Sequence, residues 1–304
     1  MSKALAIIGN GLGNLIEQSV VPIVAAGVHQ VVDIWTPCSS PVFTDVLTGI
    51  PRAATIYQNH QTPSGVYDTV YTSWLMRKAA RKVTSRQVIT VPQPTAANKL
   101  GEADYFISHM FPGIQTPPAY CAVELPKAMP LRGSVNIAFC TGSQKGEWEI
   151  KRYQQFEGVV ATLEQRIPDA FFYLLGVDSD SPIKHPRIVD LRGKYTLLET
   201  IGVLSKCDLL ISNDSGLAHA AAAKKVLTLV VFGPTQVAKN LPAGATAVYT
   251  QLPCRPCQYR SYKLGVSPIT KKKCGIECLR QLHPDDITKQ ALYLLRNKLA
   301  AVGV

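Results

Sequence analysis

Short apolar runs and helix-patterned stretches alternate along almost the whole chain. In the first half, Leu5–Ile8, Gln30–Trp35, Ala53–Tyr57, Asp68–Tyr71, Gln87–Val91 and Tyr105–Ser108 have the length and composition of buried strands. Ser134–Cys140, Ala170–Leu175, Arg187–Asp190, Asp208–Ser212, Leu227–Phe232 and Ala245–Thr250 repeat the scheme in the second half. Continuous Val, Ile and Leu runs mark strands buried on both faces, as in a parallel sheet covered by helices. Helical periodicity is clearest over Glu149–Arg166, Leu197–Lys206, Leu217–Lys225 and Pro284–Ala301. The last of these starts on Pro284, carries Asp285 and Asp286 in its first turn and has Arg296 and Lys298 near its end, as a helix dipole favours.

Between the two series, residues 116–133 contain Pro117, Pro118, Pro126 and Pro130. Proline at that density cannot continue a packed sheet. The pattern therefore predicts an α/β protein of two doubly wound domains, 1–115 and 134–304, joined by a linker over 116–133 and facing a cleft. A length of 304 residues suits two domains, and 46% hydrophobic with 17% charged residues supplies two cores and excludes a disordered chain. No apolar run approaches the roughly 20 residues of a membrane helix. Met1–Ile8 turns into Gly9 too early for a signal-peptide core, so a cytoplasmic location is expected. Thirty-two Lys and Arg against 21 Asp and Glu leave a formal +11, which points to an anionic partner. Phosphorylated sugars, an anionic membrane surface and nucleic acid all qualify.

The chemistry concentrates in the second half. The strand Asp208–Ser212 runs into Asn213-Asp214-Ser215-Gly216, and a helix opens at Leu217. Such a strand–turn–helix aims free backbone N–H groups out of the carboxyl edge of a sheet, ready for a diphosphate. Asp214 or Ser215 can cap the helix, and Gly216 lets a phosphate approach the backbone. Three blocks stand in order here: Asp190-Leu-Arg-Gly-Lys-Tyr-Thr-Leu-Leu-Glu199, Cys207-Asp-Leu-Leu-Ile-Ser-Asn-Asp-Ser-Gly-Leu-Ala-His219 and Val231-Phe-Gly-Pro-Thr235. Together they resemble the donor-binding half of glycosyltransferase family 9, the heptosyltransferases.

That resemblance implies the GT-B architecture, two Rossmann-like parallel-sheet domains. It further implies transfer of a heptose or related hexose from a nucleoside-diphosphate donor, with inversion and without a catalytic metal or other cofactor. The implied acceptor is an anionic glycolipid such as a lipopolysaccharide core. Asp214, Ser215, Gly216 and His219 carry over as donor contacts. The loop Phe139-Cys-Thr-Gly-Ser-Gln-Lys145 resembles the family's strand-end loop, which places Thr141, Gly142, Ser143 and Lys145 at the donor phosphates.

Gly9-Asn-Gly-Leu-Gly-Asn14 lacks the third glycine of a dinucleotide fingerprint and resembles the family's G-x-G-D loop, with Gly11 and Gly13 on the acceptor side. Asn14 stands where the family presents its acidic residue, and an amide cannot accept a proton at neutral pH. Glu17, one helical turn later, is the nearest replacement base. A non-catalytic nucleotide-sugar-binding protein is the reading that Asn14 alone suggests.

Arg77, Lys78, Arg81, Lys82 and Arg86 form a basic run on the acceptor side. Aromatic residues stand beside this and a later basic stretch, at Tyr71, Trp74, Tyr259 and Tyr262. An anionic glycolipid acceptor, peripheral membrane association, and hydroxymethylated DNA as in phage-type base glucosylation all remain open on these residues. The spacing Cys254-x2-Cys257-x16-Cys274-x3-Cys278, inside a basic segment 254–278, suits a structural zinc site or four reduced thiols. Asp178-Ser-Asp180 reads as a surface turn rather than a metal motif.

Overall fold

A computed structural model describes residues 1–144, 146–261 and 263–301, the last three as backbone only. The chain forms two compact units, Met1–Val123 and Glu124–Val304.

The first unit runs β1 (Lys3–Ile7), α1 (Leu12–Gln18), α2 (Val20–Ala25), β2 (Val31–Thr36), α3 (Pro41–Thr44), β3 (Ala53–Gln58), β4 (Val66–Ser73), α4 (Arg77–Ala80), β5 (Thr84–Val91) and α5 (Glu102–Met110). Its five strands are parallel in the order β3-β2-β1-β4-β5. The chain starts at the central strand, winds outward through β2 and β3, then returns to the other side of β1. That reversal is the switch point of a doubly wound sheet, beside which such folds place ligands. Leu5 and Ile7 pack with Trp35, Tyr67, Val70, Met76, Ala79 and Ala80.

Tyr105–Ser108, expected as a strand, lies inside α5. The apolar run is too short for periodicity to decide. Glu102 and Asp104 in the first turn favour a helix amino terminus.

The second unit runs β6 (Val135–Cys140), α6 (Phe156–Arg166), β7 (Ala170–Leu174), β8 (Ile188–Asp190), α7 (Leu197–Leu204), β9 (Leu209–Asn213), α8 (Gly216–Ala223), β10 (Leu227–Val231), α9 (Val237–Asn240), β11 (Thr246–Val248), α10 (Glu277–Arg280) and α11 (Pro284–Ala301). Six parallel strands are ordered β11-β10-β9-β6-β7-β8. One face is closed by α6 and α11, whose Val159, Val160, Leu163, Ile287 and Ala291 meet Ile137, Phe139, Phe172 and Ile211. Thr196 caps α7: its hydroxyl accepts from the Glu199 N–H at 3.2 Å, and the Glu199 carboxylate accepts from the Thr196 N–H at 3.0 Å. Among the described residues, no helix is long and apolar enough to cross a membrane.

The proline-rich segment is pinned on both sides of the division. Tyr120 donates its N–H to Ser19 at 2.7 Å and its hydroxyl to the Thr48 carbonyl at 2.6 Å, and Ala122 donates to Val46. Glu124 donates to the Leu198 carbonyl, and its own carbonyl lies against Gly202, where a Cβ has no room.

The helix expected over Glu149–Arg166 is interrupted. A 3-10 turn covers Gly146–Lys151, and α6 begins at Phe156. Tertiary bonds account for the break: the Tyr153 N–H donates to Asn213 at 2.9 Å, and its hydroxyl donates to the Leu282 carbonyl at 2.9 Å. Those bonds override local helix propensity.

Candidate functional site

In the second unit, the carboxyl ends of β6, β9 and β10 bring together the blocks singled out in the sequence. Asp214 is buried at 5% exposure, directly after β9. A buried carboxylate is costly unless it is paired. Here Lys151 Nζ lies 3.1 Å from its Oδ2, and the Thr235 hydroxyl donates to the same oxygen at 2.7 Å. Burial works to raise the Asp214 pKa, but Lys151 and Thr235, with His219 nearby, hold it below the ordinary carboxyl value. Lys151 also lies over the Trp148 ring, 5.3 Å from its centroid. The ammonium is thus held at the sheet edge by a charge on one side and an aromatic face on the other.

Around this pair the loops lock one another. Asn213 donates to the Thr141 carbonyl at 2.7 Å, and the Thr141 hydroxyl donates to Ser181 at 2.6 Å. Arg152 donates to the Ser143 hydroxyl at 3.0 Å and to its carbonyl at 3.2 Å. Ser215 occupies the amino-terminal position of α8 but does not cap it. Its hydroxyl pairs instead with Ser212 at 2.9 Å, and Asp214 is engaged by Lys151. The expected side-chain cap is therefore absent, and the first N–H groups of α8 keep their capacity for an anion. His219 sits half-buried on α8. Lys145 lies outside the described residues, as does Tyr262.

Asp178 and Ser179 stand exposed in a turn, as expected, but Asp180 does not. Asp180 is buried against Gly142 and Gly176, where neither position has room for a Cβ. It accepts from the Val177 N–H at 3.0 Å. Arg192 binds Asp190 in bidentate fashion, at 2.9 and 2.7 Å, and also donates to the Asp180 carbonyl. The Asp190-Leu-Arg block is thereby tied to the β6 loop through Asp180.

In the first unit, the loop after β1 holds three successive residues at positive φ, namely Gly9 (121°), Asn10 (99°) and Gly11 (124°). At Gly9 a Cβ would strike Ser39, so glycine is required there. Gly11 precedes α1 and Gly13 lies in its first turn. The Asn14 side chain donates to the Asn10 carbonyl at 3.3 Å, which stiffens the loop. Glu17 is buried at 7% exposure rather than free on the helix surface. A network not anticipated from sequence lies beside it. The Gly9 N–H donates to Gln18 Oε1 at 3.0 Å, and Gln18 Nε2 donates to buried Glu102 at 2.7 Å. Arg77, Lys78 and Arg81 are exposed on or just after α4.

Cys254, Cys257, Cys274 and Cys278 are all reduced. Burial pushes the Cys278 thiol up to about 12; Arg255 opposes this, while Cys257, Cys274 and Cys254 reinforce it. Among the described residues, however, no three His, Cys, Asp or Glu side chains close around a point that could hold a metal ion.

Lys151, Arg152, Thr235, Asp180 and Glu102 were not identified as site residues from sequence. Thr235 lay within a quoted motif block. Lys151 and Arg152 were absorbed into a helix that the structure breaks. Buried Glu102 at a helix start has no sequence signal that separates it from an ordinary first-turn acid.

Known proteins match both the sequence and the fold. The family model for glycosyltransferase family 9 (heptosyltransferase) matches residues 87–266. A lipooligosaccharide heptosyltransferase 2 of Campylobacter jejuni is 32% identical over 114 residues, 36% of this chain. The matched stretch spans 33% of that curated relative's length. Among solved structures, ADP-heptose lipopolysaccharide heptosyltransferase II of Escherichia coli superposes with a TM-score of 0.68 at 14% identity, covering 97% of this chain and 99% of that one. TibC, an iron-containing dodecameric glycosyltransferase from enterotoxigenic E. coli H10407, gives 0.68 at 15% identity, covering 100% and 80%. At these identities the structural likeness is one of fold.

Replacing Asp214 with Asn leaves Lys151 buried against a neutral amide. Losing one partner of a buried ion pair should lower stability by about 3–5 kcal/mol, read from urea denaturation at neutral pH. A carboxyl whose folded pKa is depressed contributes stability above its unfolded value, about 3.9, and loses it as pH falls through the folded value. The gap between wild type and variant should therefore narrow below about pH 4. Equal stability at neutral pH would show that the pair does not hold the edge together.

Proposed function

The chain belongs to glycosyltransferase family 9, and on that footing we propose that it transfers a heptose or related hexose from a nucleoside diphosphate to a hydroxyl of an anionic acceptor such as a lipopolysaccharide core. The observation that carries this reading is Lys151, fixed at the sheet edge by Asp214 at 3.1 Å beside the uncapped start of α8. A cation and free backbone N–H groups at one strand end suit a diphosphate leaving group. Thr141, Gly142 and Ser143 line the neighbouring loop, and Ser215, Gly216 and His219 stand on the helix side; Lys145, assigned to the donor phosphates with them, lies outside the described residues.

The reaction is inverting and needs no catalytic metal. Glu17 takes the proton of the acceptor hydroxyl, and the oxygen attacks the anomeric carbon opposite the diphosphate. The bond from that carbon to the diphosphate oxygen breaks, and its electron pair leaves with the phosphate, where Lys151 and the α8 amides neutralise it. Asn14 orders the Gly9–Gly11 loop. Gly11, Gly13, Arg77, Lys78 and Arg81 serve the acceptor side. ADP-heptose is the donor named for one of the solved relatives and is the first to test.

The four cysteines are assigned to a structural metal. Four thiolates in tetrahedral array suit zinc or iron, and TibC is described as iron-containing. Two loops supply the ligands here, Cys254 with Cys257 and Cys274 with Cys278. The other three thiols act electrostatically on Cys278, and metal binding would require the four to close on one point, which among the described residues they do not do. Elemental analysis of protein purified without chelator should find about one zinc or iron per chain. Neither metal would remove the assignment.

Replacing Glu17 with Gln keeps shape and removes basicity. Turnover with ADP-heptose and a core acceptor should fall by about 10²–10⁴ while ADP binding persists. Unchanged turnover would pass the role to another carboxylate, Glu102 first. Wild-type protein that binds donor yet neither transfers nor hydrolyses it would instead support a non-catalytic binding protein.

A further inference from the structure

Residues 251–276 hold six Lys or Arg and no Asp or Glu, so the segment cannot neutralise itself. It nevertheless ends in a tight hairpin. Val266 and Lys273 form an antiparallel bridge. The Ser267 N–H donates to the Lys272 carbonyl at 2.9 Å, the Lys271 N–H to the Ser267 carbonyl at 3.0 Å, and the Cys274 N–H to the Gly265 carbonyl at 2.9 Å. Within the turn, the Ser267 hydroxyl accepts from the Ile269 and Thr270 N–H groups at 3.2 and 3.1 Å. The base of the hairpin is anchored, because Val266 and Ser267 are buried and Gly265 packs against the Ile150 side chain.

The other end is presented to solvent. Ile269 to Lys273 are exposed one after another, and Ile269 shows 58% of its surface. Lys271 turns its ammonium back to the Pro268 carbonyl at 2.6 Å. Its φ of 58° is one that glycine adopts more readily, so the turn alone does not call for lysine there. Among the described residues, none of Lys271, Lys272 and Lys273 has a carboxylate partner, and Glu277, the first acid after them, pairs with Arg280 at 3.2 Å. Neither an exposed aliphatic tip nor three adjoining like charges stabilise a turn.

Together these side chains match an anionic bilayer, whose surface potential attracts basic segments and whose acyl boundary takes apolar side chains. One such signal gives marginal binding, and two in combination hold a protein at the surface. The backbone bonds fix the tip in advance, so little ordering entropy is lost on docking. Nucleic acid would use the cations but leave Ile269 idle, since isoleucine has no ring to stack on a base and no polar group for a base edge.

We propose that the hairpin of residues 266–273 docks this protein onto an anionic lipid surface, with Ile269 entering the acyl boundary and Lys271, Lys272 and Lys273 meeting the lipid phosphates. Attachment of this kind requires no sugar transfer and stands apart from the transferase reading.

Co-sedimentation of the intact protein with vesicles tests this, with phosphatidylglycerol mixed into phosphatidylcholine in one set and phosphatidylcholine alone in the other. The mixed vesicles should bind the protein, and the neutral ones far more weakly. Lys271→Gln, Lys272→Gln and Lys273→Gln together should weaken binding about a hundredfold, since each cation near the surface is worth about fivefold. Ile269→Ser should weaken it roughly tenfold through lost apolar burial. Added salt should weaken the wild type more than the triple variant. A comparison variant, Lys184→Gln with Lys206→Gln and Lys289→Gln, removes as many exposed lysines from elsewhere in the second unit and should bind as the wild type does. Thermal midpoints and ADP binding like those of the wild type would show the variants folded. Equal binding to neutral vesicles, unchanged binding in either hairpin variant, or an equal loss in the comparison variant would each overturn the proposal. So would duplex DNA bound more tightly than the mixed vesicles and with unchanged affinity in Ile269→Ser, because the hairpin would then be a nucleic-acid surface. Vesicle binding with the expected sensitivities but no turnover would overturn the transferase reading alone.

Discussion

The second unit depends on one buried carboxylate. Asp214 comes directly after the central strand β9, where a solvated side chain would leave the sheet edge loose. Buried, it must be compensated, and the compensation comes from two distant stretches of chain: Lys151, before α6, and Thr235, after β10. The pair fixes the ends of β9 and β10 relative to the segment after β6 and holds a cation where a parallel sheet presents its ligand site. The interrupted helix at residues 152–155 follows from the same constraint. A helix continuing from Glu149 would carry Lys151 and Tyr153 away from Asp214 and Asn213, so the chain gives up helical bonds there and makes them through side chains.

The first unit solves a different problem. Its loop after β1 holds three successive residues at positive φ, leaves no room for a Cβ beside Ser39 at Gly9, and is tied through the Gly9 N–H to the Gln18–Glu102 link. Its basic turn, with Arg77, Lys78 and Arg81, stands exposed after β4. One unit thus supplies a rigid strand-end loop and an unneutralised cationic surface, and the other supplies a neutralised cation at a strand end.

Much of the fold was legible in the alternation of apolar runs, because buried parallel strands need continuous Val, Ile and Leu and little else. The helix Pro284–Ala301 was legible to the residue, since Pro284 and two aspartates mark its start chemically. Tyr105–Ser108 was misread because four apolar-rich residues fit a strand or a helix equally, and the acidic turn before them was the better guide. Local backbone geometry was legible where glycine or a strand–turn–helix dictates it, as at the Gly9–Gly11 loop and the Asn213–Gly216 turn. Side-chain contacts were not legible where the partner is remote in sequence. Lys151 looks like any helix lysine until Asp214, 63 residues on, is seen beside it. Asp180 looks like a turn aspartate until Gly142 and Gly176 are seen to leave space for it alone.

The central claim is that Lys151, held by Asp214, is the cation that meets the donor diphosphate. Titration of ADP into wild-type protein and into Lys151→Met, with folding of both verified by circular dichroism, tests it directly. A charge-assisted contact to phosphate is worth about 1.5–3 kcal/mol, so affinity should fall between about tenfold and a hundredfold in the variant. Equal affinity for ADP in a folded variant would contradict the account.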